Sequence, residues 1–230
     1  MQSLTATRAV LTNPAAHIAI RMPQRPASGF VNQIDLIGTE VAFAKNGQFY
    51  CEGEPSTYLY KIVTGVARSY RMTAEGRRHI VAFYVHGDLF GFETGNAHTL
   101  CAEAVTDARV RVMKRASVLN RAAEDVDVAE QLWLSASGEI RRNQEHILQF
   151  GSRSARARVA SFLLEMVRRI PSGHAVALSI SRQDIADYLD LRIETVSRAA
   201  TRLARLGAIA ISSNRKITVR NSAVLTQLLK

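Results

Sequence analysis

The chain has 230 residues, a mass of 25.4 kDa, a formal net charge of +10, and 47% hydrophobic against 22% charged residues. That balance excludes a disordered or fibrous chain and leaves room for one large domain or two ordinary ones of about 100 to 150 residues each. The charge is uneven: residues 1–150 hold 16 basic and 15 acidic side chains, residues 151–230 hold 14 and 5, so a compact basic segment suited to a polyanion follows a balanced one.

Residues 1–33 contain Pro14, Pro23 and Pro26 with no sustained period and read as a loose arm. They carry no secretory hydrophobic region, and nowhere does an apolar run approach the roughly 18 residues that cross a bilayer, so a cytoplasmic protein with no membrane partner is expected. Between residues 34 and 115 the strings TEVAFA, FYC, YLYKIV, VARSYRM, RHIVAFYV, DLFGF and EAVTDARVRVM are short, β-branched and aromatic, with glycines between them. Many short strands with regular turn signals predict an antiparallel jelly roll. Cys51 and Cys101 fall in this segment. Two thiols are too few for a disulfide framework, and both are expected to be small core fillers.

Residues 116–151 are predicted as a linker and a long helix. Trp133, Ala136, Ile140, Asn143, Ile147 and Phe150 recur at alternating spacings of 3 and 4. Such a seam can meet an identical helix across a two-fold axis, with Asn143 setting register. The other use of that stripe is burial on the β domain, and Gly138 weakens a coiled coil.

Residues 152–230 divide into an amphipathic helix over 155–170 stopped by Pro171 and Gly173, a strand candidate AVALSI, two short helices, a two-stranded wing and a last helix after Asn221. The informative stretch is SRQDIADYLDLRIETVSRAATRLAR, residues 181–205. Ser181 caps its first helix, with Ile185, Ala186 and Leu189 inward. Val196, Ala199, Ala200 and Leu203 are the inward face of the second. A connection as short as Asp190–Arg192 forces the helices to cross steeply, which is helix-turn-helix geometry. Glu194, Thr195, Ser197 and Arg198 then point outward near the start of the second helix. Arg forks onto guanine, and Glu accepts from cytosine. The competing use of Glu194 and Arg198 is an i, i+4 ion pair on a solvated face.

The string SRQDIADYLDLRIETVSR resembles the winged helix-turn-helix of the Crp/Fnr superfamily of bacterial regulators, and its Glu-Thr-Val-Ser-Arg core resembles the Fnr and FixK branch. Upstream, YLYKIVTGVARSYRM, GRRHIVAFYVHGDLFGFE and AEAVTDARV are similar to the superfamily's N-terminal jelly roll, and RVASFLLEMVRR to the helix that opens its DNA module. The likeness runs in order from about residue 38 to residue 220. It implies an α+β architecture and a transcription regulator, an activator by its branch, that binds palindromic TTGA-like sites as a homodimer and contacts RNA polymerase. It puts the base readers at Glu194, Ser197 and Arg198, and phosphate contacts at Arg182 and Thr195; Ser181 and the cation Arg192 are expected on phosphates beside them. Asp190 stands where the family commonly has Gly, and Arg192 where it has Thr. Asp tolerates a left-handed backbone, whereas losing Thr removes a helix cap.

The same resemblance raises the question of a sensor ligand. Cyclic-nucleotide-binding relatives follow a Gly-Glu pair with Arg-Ser or Arg-Thr. Here Gly91, Phe92 and Glu93 are followed by His98 and Thr99, and a neutral imidazole is no substitute for a guanidinium fork, so Glu93 is expected to be a turn residue. Two cysteines exclude a four-thiolate iron-sulfur cluster in one protomer, and His79 or His86 as a haem ligand is weaker than a structural role. No cofactor and no metal are therefore expected. No hydrolase, phosphate-loop, dinucleotide or zinc-protease motif appears, so no enzyme is expected. Asp184 and Asp187, three apart, are predicted to be solvated helix-face residues. Two other functional classes stay open: a sensor gated by a small molecule such as a cyclic nucleotide or haem, and a non-specific basic DNA binder.

Overall fold

Short β-branched strings cannot bury themselves alone, and in the computed structural model they pair into two antiparallel sheets. The structure describes residues 33–152, 154–170, 176–213 and 216–229, so the N-terminal arm before Gln33 lies outside the described residues, as do Pro171 and Gly173. After a 3-10 turn at Gln33–Leu36 come β1 (Thr39–Phe43), β2 (Gln48–Tyr50), β3 (Tyr58–Thr64), β4 (Ala67–Met72), β5 (Arg78–Tyr84), β6 (Leu89–Phe90), β7 (Cys101–Ala104) and β8 (Ala108–Lys114). One four-stranded sheet has the order β1-β8-β3-β6 and the other β2-β7-β4-β5, which makes the predicted jelly roll. The run EAVTDARVRVM is two strands in different sheets, broken at Val105–Asp107. The β3–β4 turn presses on that break. Gly65 has φ +88°, and a Cβ there would lie 2.5 Å from the Asp107 carbonyl oxygen.

Aromatic side chains fill the space between the sheets. Tyr84 stacks on Phe90 at 4.5 Å between ring centroids, Tyr60 on Phe90 at 5.3 Å, and all three are buried. Cys51 and Cys101 are not separate core fillers but are joined by a disulfide. The cause is strand register: Tyr50 pairs with Ala102, so the next residues along, Cys51 and Cys101, fall across from each other. Nothing in a separation of 50 residues signals that pairing.

The chain continues through α1 (Arg115–Glu124) into α2 (Val126–Ser152), slightly longer than the predicted helix. Polar groups anchor α2 to the jelly roll. The Tyr84 hydroxyl donates to the Glu139 carboxylate at 2.9 Å, and burial raises the affinity of that carboxylate for a proton. Next come α3 (Ala155–Arg169), β9 (Val176–Leu178), α4 (Arg182–Leu189), α5 (Ile193–Arg205), β10 (Ile209–Ser213), β11 (Lys216–Val219) and α6 (Ser222–Gln227). The wing has three strands, order β10-β11-β9, because the AVALSI strand joins the predicted pair. Val159, Phe162, Leu163 and Met166 of α3 are fully buried, as their spacing predicts. Among the described residues no helix is long and apolar enough to cross a membrane.

A bulge in β5 couples the two halves. Ser69 of β4 pairs with Ala82 and Tyr70 with Ile80, leaving Val81 unpaired. The extra residue reverses the alternation, so Ile80 and Phe83 emerge on one face despite being three apart. Both enter a single core with α3, α4 and α5, in which Phe83 packs edge-on to Tyr188 at 5.3 Å.

Candidate nucleic-acid interface

The Ser181 side chain accepts from the Asp184 backbone N–H at 3.0 Å and caps α4. Ile185, Ala186 and Leu189 are each 1% exposed. Asp190 ends the helix in the left-handed region, φ 49° and ψ 52°, and its N–H reaches the Ala186 carbonyl. Asp thus supplies the conformation that Gly commonly provides at such a turn. Arg192 is extended and makes no side-chain cap, although its carbonyl accepts from the Thr195 and Val196 N–H groups at 2.9 and 3.1 Å. Val196, Ala199, Ala200 and Leu203 are buried beneath α5.

The opposite face of α5 is open. Glu194 and Arg198 are exposed, and Thr195 and Ser197 are half-buried. The i, i+4 ion pair does not form: neither Glu194 nor Arg198 has an ionic partner among the described residues. Further along, Arg202 and Arg205 are exposed as well. At the start of α4, Arg182 is half-buried, and its Nε has no hydrogen-bond partner among the described residues. Arg192, exposed, borders an open groove with Glu194, Tyr70 and Arg77.

Asp184 and Asp187 correct the expectation of solvated side chains. Asp184 is 5% exposed, and one of its oxygens lies 2.6 Å from both Arg68 and Arg78. Asp187 accepts from Arg78 at 2.8 Å and from Gln183 at 2.6 Å. The arginine partners come from β4 and β5, more than a hundred residues earlier, where helix periodicity gives no signal. On the other side of α4, Tyr188 stacks against His146 of α2 at 4.0 Å, and burial pushes the His146 imidazole down to about 4.

In the jelly roll, Glu93 accepts from the Thr99 N–H at 3.0 Å and lies 3.6 Å from His98, while Arg115 donates to the Glu93 backbone carbonyl at 2.6 Å. The carboxylate is engaged within its own turn. His98 is itself covered by Tyr50, stacked at 3.6 Å, and burial lowers its affinity for a proton. His86 Nδ1 lies 2.6 Å from the Val63 carbonyl. Along α2, Trp133, Ile140 and Ile147 are 69%, 58% and 67% exposed, with Ala136 and Asn143 half-buried; the side chain of Phe150 lies outside the described residues.

Residues 157–228 match the Crp-like helix-turn-helix domain, and residues 40–125 match the cyclic nucleotide-binding domain. The nitrogen fixation regulation protein FixK of Azorhizobium caulinodans is 40% identical over 200 residues, covering 85% of this chain and 81% of that protein. The chain belongs to the Crp/Fnr family. Within it the chain is FixK-like: FixK of Rhizobium meliloti is 38% identical over 82% of the chain and 86% of its own length. The solved structure of FixK2 from Bradyrhizobium japonicum superposes with a TM-score of 0.77 at 45% identity, covering 84% of this chain and 97% of that one. As a Crp/Fnr protein with a complete helix-turn-helix, the chain is a DNA-binding transcription regulator, and its relatives are regulators and not enzymes.

Proposed function

We propose that two copies of this chain pair along α2 and read a palindrome of TTGA-like half-sites, with Glu194, Ser197 and Arg198 on base edges and Ser181, Arg182, Arg192 and Thr195 on phosphates. The observation that carries this reading is the leading edge of α5: Glu194 and Arg198 are exposed and without ionic partners among the described residues, above an apolar face that fixes the helix. Forming and dissolving an ion pair would weaken both groups as readers; here neither cost arises. Arg182 at the start of α4 and the exposed Arg192 just before α5 add positive charge, as phosphate contact requires. The exposed apolar side chains at Trp133, Ile140 and Ile147 support pairing along α2, with Ala136, Asn143 and Phe150 completing the seam. Two recognition helices would then enter successive major grooves about 34 Å apart.

In this reading the protein is a cytoplasmic activator that contacts RNA polymerase, performs no catalysis and needs no cyclic nucleotide. Its Glu93 turn carries His98 and Thr99 where an arginine would meet a cyclic phosphate. Selection of bound duplexes from a random pool, with ligand-free protein, tests it. A two-fold symmetric consensus is the expected result; recovery of unrelated duplexes would overturn sequence reading and favour a non-specific binder.

A further inference from the structure

Five charged side chains form a closed cluster where α4 meets the jelly roll. Arg68 on β4 and Glu103 on β7 are direct cross-strand partners, and Arg68 binds Glu103 through both Nε and a terminal nitrogen. Arg78 on β5 lies 3.5 Å from the same Glu103 oxygen. Glu103 therefore orients both guanidiniums, and they converge from two strands on one oxygen of Asp184, each at 2.6 Å. Arg78 also grips Asp187 one turn further along α4, at 2.8 Å.

The two regions already share an apolar core through Ile80, Phe83 and Tyr188. Apolar contact is non-directional and tolerates sliding, whereas two guanidiniums meeting at one carboxylate oxygen define a position. Buried ion pairs seldom add stability over an apolar isostere, and setting register is their best-attested use. Only Asp190, Leu191 and Arg192 separate α4 from α5, so whatever fixes α4 on the sheet fixes the approach of the recognition helix.

We propose that Arg68 and Arg78 of the jelly roll are positioning residues for DNA recognition: with Glu103 they hold Asp184 and Asp187 so that the helix-turn-helix has one orientation on the sensor-like domain. This rests on the palindrome reading above. A single half-site is indifferent to that orientation, because the module docks on it alone. A palindrome needs both recognition helices at the correct separation and tilt, and pays for every displacement.

The test compares full-length variants on two duplexes by fluorescence anisotropy, one with both half-sites recovered by selection and one with a half-site scrambled. Arg78→Asp is expected to lower affinity for the palindrome about tenfold or more, with the half-site duplex changed by no more than about twofold. Asp187→Asn shifts the ratio in the same direction by less and serves if Arg78→Asp does not fold. Combining Arg78→Asp with Asp187→Arg, which restores opposite charges across the contact, is expected to recover most of the palindrome preference. Unchanged palindrome-to-half-site ratios in both single variants would overturn the proposal, as would equal losses on both duplexes or a double variant no better than Arg78→Asp. A wild-type chain with no preference for the palindrome would instead sink the palindrome reading, and the latch with it.

Discussion

Helices α4 and α5 are neighbours in sequence and alike in being amphipathic and charged, yet their charges meet opposite fates. The carboxylates of α4 are held by two arginines of a remote sheet, Asp184 buried and Asp187 half-buried, whereas Glu194, Arg198, Arg202 and Arg205 of α5 stay exposed. What separates them is the surface each outer face meets. The outer face of α4 meets β4 and β5, so its charges serve placement; Glu194 and Arg198 on the outer face of α5 have no ionic partner among the described residues, so their charges are available to a partner. A charge on a helix is therefore not a reader or a clamp by type or spacing. Its tertiary surroundings decide.

That contrast can be broken most severely at Asp184. Asp184→Ala leaves two guanidiniums short of a carboxylate at a site 5% exposed, and breaking a buried pair costs about 3 to 5 kcal/mol, to be measured by urea unfolding. Glu194→Ala on the open helix is expected to change stability by no more than about 0.5 kcal/mol. Comparable losses at the two positions would erase the distinction.

A smaller effect is expected from His146, held against the other side of α4. Its folded-state value, about 4 because of burial, lies below the ordinary value of 6.5. The unfolded chain therefore takes up a proton first as pH falls. The contribution is fully present above pH 6.5 and is lost as pH drops toward 4. Between about pH 7.5 and about pH 5 the wild type should lose roughly 1 kcal/mol more than His146→Gln, after allowing for solvent screening of a partly exposed ring. Parallel pH profiles would show that the imidazole is not held neutral. An effect of similar size concerns the start of α5: Arg192→Thr supplies the missing cap and is expected to gain about 1 kcal/mol, read as a raised Tm.

The sequence made the local features legible. The inward faces of α4 and α5 and the Ser181 cap follow from spacing and residue type, and the left-handed Asp190 from the family resemblance, which has Gly at that turn. Pairings set by the fold were not legible. The Cys51–Cys101 disulfide depends on the register of β2 against β7, and the third wing strand on where β9 lands. The burial of Asp184 and the pairing of Asp187 depend on a bulge at Val81 that brings Ile80 and Phe83 onto the face where α4 packs. Periodicity within α4 carries no trace of those distant residues.

The central claim, that the leading edge of α5 reads bases, is tested most directly by equilibrium affinities of wild type and Arg198→Ala on a symmetric site and on a scrambled duplex of equal length, at one salt concentration. The account predicts that Arg198→Ala loses about 1 to 3 kcal/mol of discrimination per half-site while scrambled-duplex affinity barely moves, and that Arg182→Ala weakens both duplexes alike. Equal losses on both duplexes for Arg198→Ala would contradict it.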